Sequence, residues 1–247
     1  MNTIDILNKD NLILYFPFNT NLKDIVTGIR CHHYSDDDFN EQAKIINTKY
    51  LNDNKFNTAL YFNGNHTEIE ILFPRKYNEY LRRPSLFAID FYYYIDNFVN
   101  YGGLFRFSTT EDSHIFTDSY VGHYACWMEK YRFSENLYFG TESNNVIINL
   151  EKNKWNHFLF MYNNSKYLIY HNEELISDKY IPEFPFEDSL IQDGINFGSG
   201  HFKHLSVKNY TNAIFYLKNL KIYYKPKKSI KEKIRDSLPV FFKKNNK

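Results

Sequence analysis

Residues 59–71 read ALYFNGNHTEIEI, and this stretch decides the fold class. Apolar runs lie on both sides of Asn63-Gly64, and Gly64 is one of only nine glycines among 247 residues. Glycine adopts a positive φ angle without steric cost and asparagine tolerates one, so the pair is typical of a tight turn between strands. Residues 68–71 alternate between acidic and apolar side chains, as in a strand with one buried face. We therefore predict two strands joined as a β-hairpin at Asn63-Gly64.

Similar short runs recur on both sides of this stretch. Aromatic residues make up 19% of the chain, with 23 Phe and 22 Tyr, and aromatic side chains favour strands. Asparagine and glycine separate the runs, and no part of residues 1–225 keeps the 3.6-residue period of a helix. Many short strands with such turns predict an all-β sandwich or barrel. Representative runs are LILYFPF (12–18), LFAIDFYYYI (86–95), WNHFLFMY (155–162), KYLIYH (166–171) and AIFYLKNLKIYY (213–224).

Two of the predicted strands have distinct faces. In residues 86–95 one face is apolar and is expected to point into the core: Phe87, Ile89, Phe91, Tyr93 and Ile95. The other face carries Asp90, Tyr92 and Tyr94, and we expect it to be partly wetted. In residues 124–131 the alternation separates Trp127, Glu129 and Tyr131 from Tyr124, Cys126 and Met128.

Five segments occur in an order that resembles a laminin G-like jelly roll of the concanavalin A-like lectin and glucanase superfamily. They are NLILYFPFNTNLKD, ALYFNGNHTEIEI, LYFGTESN, NKWNHFLFMYNNSKYLIYHNEEL and LKNLKIYY, and they span roughly residues 11–225. The most specific part surrounds Trp155 and His157. Similar proteins then read N-G-E-L, where this chain has Asn172-Glu173-Glu174-Leu175, without the glycine. The resemblance implies an all-β, two-sheet antiparallel jelly-roll sandwich, and we assign it to residues 1–225.

The resemblance also raises the question of a calcium ion. Many relatives carry an acidic pair before V-R-I-Y, often near calcium, whereas the matching residues here are Lys218 and Asn219. Asp24 matches another acidic position of the relatives. Because Ca²⁺ prefers charged oxygen ligands, we expect neither metal nor cofactor, with a calcium ion near Asp24 as the less favoured alternative. The CHHYSDDD segment, residues 31–38, is interpreted as a solvated loop.

Charge and cysteine content restrict the function further. The formal net charge is +1, which indicates no specific affinity for nucleic acid. Cys31 and Cys126 are the two cysteines, and two unpaired buried thiols are favoured over a single bridge. We find no recognisable signal peptide and no apolar run long enough for a membrane span.

The C-terminal segment differs in character from the rest of the chain. Residues 225–247 carry nine basic residues against two acidic ones. Ser229 and Glu232 form a capping box, and Pro239 ends the segment that can be helical. We predict that residues 226–247 contain a short amphipathic helix that attaches the domain to other protein subunits, unless it folds back on its own sandwich. Its apolar contact residues would be Ile230, Ile234, Leu238, Phe241 and Phe242.

The sequence does not carry the signature of a glycoside hydrolase. Such an enzyme needs two facing carboxyl groups, and the closest pair, Glu68 and Glu70, is more simply an outward-facing pair on an alternating strand. We therefore predict no enzyme, but a structural or adhesive binding module of a virion or cell surface that contacts glycans. A free-standing lectin is the alternative, and a degenerate glycoside hydrolase is a weaker one. The candidate ligand-binding residues are Asp90, Tyr92, Tyr94, Trp127, Glu129 and Tyr131.

Overall fold

The structure is a computed structural model. It describes residues 7–33, 43–51, 55–64, 67, 69–72, 84–99, 102–108, 125–131, 134–140, 145–180, 194–198 and 213–226. Within these ranges the backbone alone is described for residues 32, 33, 106–108, 125, 127, 129–131 and 194.

The described residues form fifteen strands and one 3₁₀ turn, Lys9–Asn11. The strands are β1 (Leu12–Phe16), β2 (His32–His33), β3 (Lys44–Asn47), β4 (Thr58–Asn63), β5 (Ile69–Leu72), β6 (Pro84–Tyr94), β7 (Gly103–Ser108), β8 (Ala125–Tyr131), β9 (Ser134–Gly140), β10 (Asn145–Asn149), β11 (Trp155–Asn163), β12 (Lys166–His171), β13 (Glu174–Tyr180), β14 (Gly194–Phe197) and β15 (Ile214–Pro226).

The strands form two antiparallel sheets. The larger sheet has the order β13-β12-β11-β6-β15-β4-β3, and β1 also pairs with β15. The smaller sheet has the order β10-β9-β8-β7-β14-β5-β2. Neighbours that are distant in sequence, such as β6 and β15, show that the chain crosses repeatedly between the sheets. The two-sheet antiparallel sandwich that the sequence predicts is confirmed.

Aromatic side chains from both sheets fill the space between them. Phe91 of the larger sheet lies 5.6 Å from Phe105 and 5.5 Å from Phe197 of the smaller one, measured between ring centroids, and both pairs are edge-to-face. Aromatic rings attract one another in this geometry, so the many phenylalanines of the sequence pack favourably between the sheets. The apolar face predicted for residues 86–95 is confirmed, because its five side chains are all fully buried in this core.

The hairpin predicted at Asn63-Gly64 is wrong. Strand β4 belongs to the larger sheet and β5 to the smaller one, so the turn carries the chain between sheets and does not join paired strands. Gly64 does have a positive φ of 82°, but Asn63, which a type I′ turn would place there too, does not. The Asn63 amide donates to Thr67 Oγ1, and that hydroxyl donates back to Asn63 Oδ1, which holds the crossing together.

Two other asparagine-containing turns do form tight hairpins. Strands β11 and β12 pair up to Asn163 and Lys166, and the two residues between them, Asn164 and Ser165, have φ angles of 46° and 74°. Strands β12 and β13 are joined in the same way by Asn172 and Glu173. Positive φ at both central residues is the mark of a type I′ turn, and an asparagine occupies the first central position of each turn.

Both cysteines are free and buried. Burial raises the pKa of each thiol well above its ordinary value, which keeps both protonated and unreactive. The prediction of two unpaired buried thiols is confirmed.

The predicted tail begins where the last strand ends. Strand β15 ends at Pro226, next to the proposed boundary between residues 225 and 226. Residues 227–247 lie outside the described part of the chain, and with them the predicted helix and its contact residues Ile230, Ile234, Leu238, Phe241 and Phe242. The boundary and the helix stay predictions.

Candidate functional site

The six candidate residues fall on two different sheets. Asp90, Tyr92 and Tyr94 lie on β6 in the larger sheet, on the face directed away from the core. Positions 127, 129 and 131 lie on β8 in the smaller sheet. The two groups therefore do not form a single surface. The side chains of Trp127, Glu129 and Tyr131 are outside the described part of the structure, so the site is built here from β6.

Asp90 lies at the centre of a polar cluster on this outer face. Its Oδ1 is 2.6 Å from His157 Nε2, and its Oδ2 accepts a hydrogen bond from Lys221 Nζ at 3.3 Å. Histidine comes from β11 and lysine from β15, the two strands that pair with β6. Because both oxygens accept from basic side chains and Asp90 is only 7% exposed, this carboxylate orients its neighbours.

Tyr92 is the half-exposed aromatic residue of the cluster. The His157 ring stacks on it with centroids 4.6 Å apart and an angle of 23° between the planes. The ammonium of Lys55 lies 4.0 Å from the centroid of the Tyr92 ring, a cation–π contact. Partial burial, and secondly the Asp90 charge, raise the pKa of Tyr92, so its hydroxyl remains a hydrogen-bond donor.

Tyr94, by contrast, is 2% exposed. Its ring packs 5.7 Å from Trp155 and 5.6 Å from Tyr216, between centroids. Trp155 in turn makes an edge-to-face contact with Phe56. Tyr94 therefore belongs to an aromatic cluster beneath the exposed groups and supports the end of β6. The outer face of β6 is less wetted than its alternation predicts, because neighbouring strands and loops cover it.

Sequence reasoning missed three members of the cluster, His157, Lys221 and Lys55. His157 stands out in the sequence only as part of the segment that resembles other proteins. Each of these residues lies far from Asp90 in sequence and reaches it through strand register or a loop, and alternation gives a residue's face but not its cross-strand neighbour. The arrangement offers an aromatic ring, an oriented imidazole and two ammonium groups on one face, which suits non-covalent recognition of a polar ligand.

Asp24 and Lys218, the two residues at which the sequence resemblance raised a calcium ion, do not fit such an ion. Asp24 is 1% exposed and its carboxylate closes a turn, accepting from the backbone amides of Tyr15 and Thr27 and from the Thr27 hydroxyl at 2.7 Å. Lys218, at the other position compared, carries an ammonium, which has no lone pair to offer a metal ion. Within the part of the chain that the structure describes, no group of three or more His, Cys, Asp or Glu side chains could hold a metal ion. No helix in the same ranges is long and apolar enough to cross a membrane.

Comparisons with known proteins show the fold. No family model matches the sequence, and no curated protein matches it. Among solved structures, domain 4 of AbnA, a GH43 extracellular arabinanase from Geobacillus stearothermophilus in complex with arabinotriose, is similar with a TM-score of 0.56 and 13% identity. The match covers 88% of this chain and 94% of that one.

Two further structures contain a similar region. Trypanosoma rangeli sialidase matches with a TM-score of 0.58 and 11% identity over 90% of this chain, which spans only 32% of the sialidase. Botulinum neurotoxin type C, whose cell entry depends on interaction with two ganglioside molecules, matches with a TM-score of 0.52 and 15% identity. That match covers 89% of this chain and 49% of the toxin chain. The protein thus has a β-sandwich fold that also occurs in proteins that bind or act on carbohydrates.

Proposed function

We propose that this chain is a non-catalytic, laminin G-like binding module that contacts glycans through the Tyr92 cluster and serves a structural or adhesive role in a larger assembly. The observation that supports it best is the network Tyr92–His157–Asp90–Lys221 on the outer face of the larger sheet. One member is a half-exposed ring, and the polar members are held in place by a buried carboxylate.

Sugars make two kinds of contact, stacking and hydrogen bonding, and this network can make both. The C–H face of a pyranose stacks on an aromatic ring, and its hydroxyl groups need donors and acceptors in fixed positions. Tyr92 supplies the ring, and a sugar stacked on it takes the place of the exposed Lys55 ammonium. His157, oriented by Asp90, and Lys221 supply the hydrogen bonds. Fixing these groups before the ligand arrives reduces the entropy lost on binding.

The same geometry favours binding without catalysis. Hydrolysis of a glycosidic bond requires one carboxyl group to act as acid and a second as base or nucleophile. Asp90 is buried and each of its oxygens is close to a basic side chain of its own chain, which favours a role in positioning these side chains over acid–base catalysis. Turnover of a polysaccharide by the purified protein would contradict this part of the proposal.

The assembly is proposed to be a virion or an extracellular or cell-surface structure, joined through the basic segment 226–247. The apolar stripe of this segment gives it a face to bury against another subunit, and its lysines suit an acidic rim around the contact. Binding to nucleic acid is not part of the proposal. The likeness to proteins that bind or act on carbohydrates supports the glycan contact, not the attachment.

A glycan array tests the site. We expect the wild-type chain to bind a subset of glycans and Tyr92→Ala to weaken that binding about 5- to 150-fold, because a lost stacking contact is worth about 1–3 kcal/mol. Tyr180→Ala is the matched control, since Tyr180 is 75% exposed on β13, the edge strand of the same sheet. A second variant, Trp127→Ala, reports on the smaller sheet.

Three outcomes are informative. Loss in Tyr92→Ala alone supports the cluster described here. Loss in Trp127→Ala with normal binding by Tyr92→Ala contradicts it and moves the site to the smaller sheet. Absence of binding to any glycan contradicts the glycan contact altogether and leaves a purely structural role.

A further inference from the structure

Strand β15 changes its partner half-way along one side. Residues 214–217 pair with β4, and residues 220–223 pair with β1. On this side Lys218 and Asn219 have no partner strand, while on the other side Lys218 still pairs with Tyr92 of β6 and the register shifts before Lys221. Asn219 has a φ of 52°. The end of β1 and the start of β4 meet at this interruption. A junction of three strands leaves backbone and side-chain oxygens that must find donors.

The side chain of Lys218 occupies this junction. Its Nζ lies 3.2 Å from the Phe18 carbonyl oxygen, 2.5 Å from Asn19 Oδ1 and 3.0 Å from Thr58 Oγ1. An ammonium has three N–H donors, so each donor finds one oxygen. The residue is only 4% exposed, an unusual location for a lysine.

The backbone around the ammonium has an uncommon conformation. Phe18, which supplies the carbonyl, has a φ of 51°, in the left-handed region that side chains other than those of Gly, Asn and Asp rarely adopt. Strained residues of this kind occur where surrounding contacts hold them, notably around bound ligands. Asn219, the residue after Lys218, also has a left-handed backbone, so both segments that meet at this junction depart from regular strand geometry.

The three oxygens are a carbonyl, an amide and a hydroxyl, and all are neutral. Hard divalent cations require carboxylates to offset their dehydration, so this set suits a single positive charge better than Ca²⁺. Burial lowers the pKa of Lys218 to about 8, which still leaves the amine predominantly protonated at neutral pH.

We propose that Phe18 O, Asn19 Oδ1 and Thr58 Oγ1 form a site for a monovalent cation, and that the Lys218 ammonium is the cation it holds. The chain's own side chain thereby joins β15 to the segment that follows β1 and to the start of β4. When the lysine is shortened, the vacated site accepts a small alkylammonium ion from solution.

Lys218→Ala tests the site directly, with thermal unfolding as the measurement. We expect Tm to fall by about 4–10 °C, since three buried hydrogen bonds are lost. Addition of n-propylammonium chloride, which replaces the deleted atoms, is expected to recover at least half of that fall. Tetramethylammonium chloride at equal ionic strength, which cannot donate hydrogen bonds, is expected to recover none of it. Equal effects of the two salts, or a larger recovery with calcium chloride, would overturn the proposal.

Asn19→Asp provides an independent test that does not remove the lysine. Asn19 is exposed, and the substitution places a carboxylate oxygen where the amide oxygen meets the ammonium. We expect Tm to rise by about 1–3 °C at neutral pH. Asn21→Asp is the matched control, because Asn21 lies in the same loop and its Oδ1 accepts from the Lys23 backbone amide instead. If Asn19→Asp raises Tm no more than Asn21→Asp, the cation site is refuted.

Discussion

A buried histidine makes the stability of this sandwich sensitive to pH. His171 is 6% exposed, and its Nε2 lies 2.8 Å from the hydroxyl of Tyr93, which is fully buried in the core. Burial lowers the pKa of His171 from 6.5 to about 4, against a smaller opposing effect of Glu151. The folded state therefore holds this imidazole neutral at a pH where the unfolded chain would already protonate it.

The sign of the pH dependence follows from that difference. Above pH 6.5 the imidazole is neutral in both states, and its contribution to stability is fully present. As the pH falls from 6.5 toward 4 the unfolded chain binds the proton first, so the free energy of unfolding decreases by up to about 3 kcal/mol. In His171→Gln we expect this part of the acid sensitivity to disappear, measured by urea unfolding at pH 7 and pH 4.5.

Tyr93→Phe is the matched control for this prediction. It removes the same hydrogen bond but leaves the titrating imidazole in its buried position, so the wild-type pH dependence should remain. Both variants are expected to lose about 1 kcal/mol at pH 7 from the missing hydrogen bond. Parallel pH profiles for wild type and His171→Gln would show that another group governs the acid sensitivity.

At the scale of elements, the turn of the β12–β13 hairpin contains a residue whose side chain does not suit its backbone conformation. Its turn residues Asn172 and Glu173 have φ angles of 50° and 71°. An L-residue such as glutamate is about 1–2 kcal/mol less stable in this conformation, whereas glycine adopts it freely. Glu173→Gly is therefore expected to raise the free energy of unfolding by about 0.5–1 kcal/mol after the greater entropy of the unfolded glycine is counted. Thermal unfolding would show this as a rise of about 1–4 °C in Tm.

Asn172→Gly in the same turn should act in the opposite direction. The Asn172 side chain accepts from the backbone amide of His157 and donates to Glu151 and to Asn156, at 2.6–2.9 Å. Asparagine already tolerates a positive φ, so glycine would gain little and lose all three bonds. A stabilising Asn172→Gly, or a destabilising Glu173→Gly, would contradict this account of the turn.

The comparison of turns shows what a local sequence pattern can predict. The Asn63-Gly64 pair between apolar runs predicted a positive φ correctly at Gly64 but not at Asn63. The pattern did not predict that the chain crosses to the other sheet after Asn63, while the turn after Asn163 joins strands that pair. Positive φ is a property of one residue, but strand partnership is decided by the burial of whole faces in the core.

For the whole molecule, the all-β sandwich and its inward faces could be predicted, because aromatic alternation repeats along the entire chain. The candidate site could be predicted only in part. Asp90 and Tyr92 were recognisable as polar residues on an otherwise apolar strand. His157 and Lys221 meet Asp90 only through the registers of β11 and β15 with β6, and those registers depend on contacts between segments far apart in sequence. The position of Trp127 in the smaller sheet likewise follows from which strands pair, and alternation within β8 does not reveal this.

At the scale of the whole molecule, truncation of the chain tests whether the basic tail, residues 226–247, attaches the domain to other subunits. Strand β15 lies between β6 on one side and β4 and β1 on the other, and of its paired residues a deletion from residue 226 onward removes only Pro226, which pairs with Pro84 at the end of the ladder. Deleting residues 226–247 should therefore leave a folded sandwich with Tm within about 4 °C of the wild type, because about 1 kcal/mol of contacts at most would be lost. Glycan binding by this shortened chain should match that of the full chain, while its recovery with the larger assembly should be lost.

Deleting residues 213–247 is the control, since it removes β15 from the middle of the larger sheet and should leave the chain unfolded. If instead the shorter deletion, of residues 226–247, already lowers Tm by about 10 °C or more, the tail packs on its own sandwich and its proposed attachment role fails. If that deletion leaves both stability and recovery with the assembly unchanged, the chain acts as a free-standing lectin. The attachment role predicts that the shortened chain stays folded and still binds glycans but is no longer recovered with the assembly. A tail that docks on another subunit gives this result, because its loss removes only the contact with that subunit.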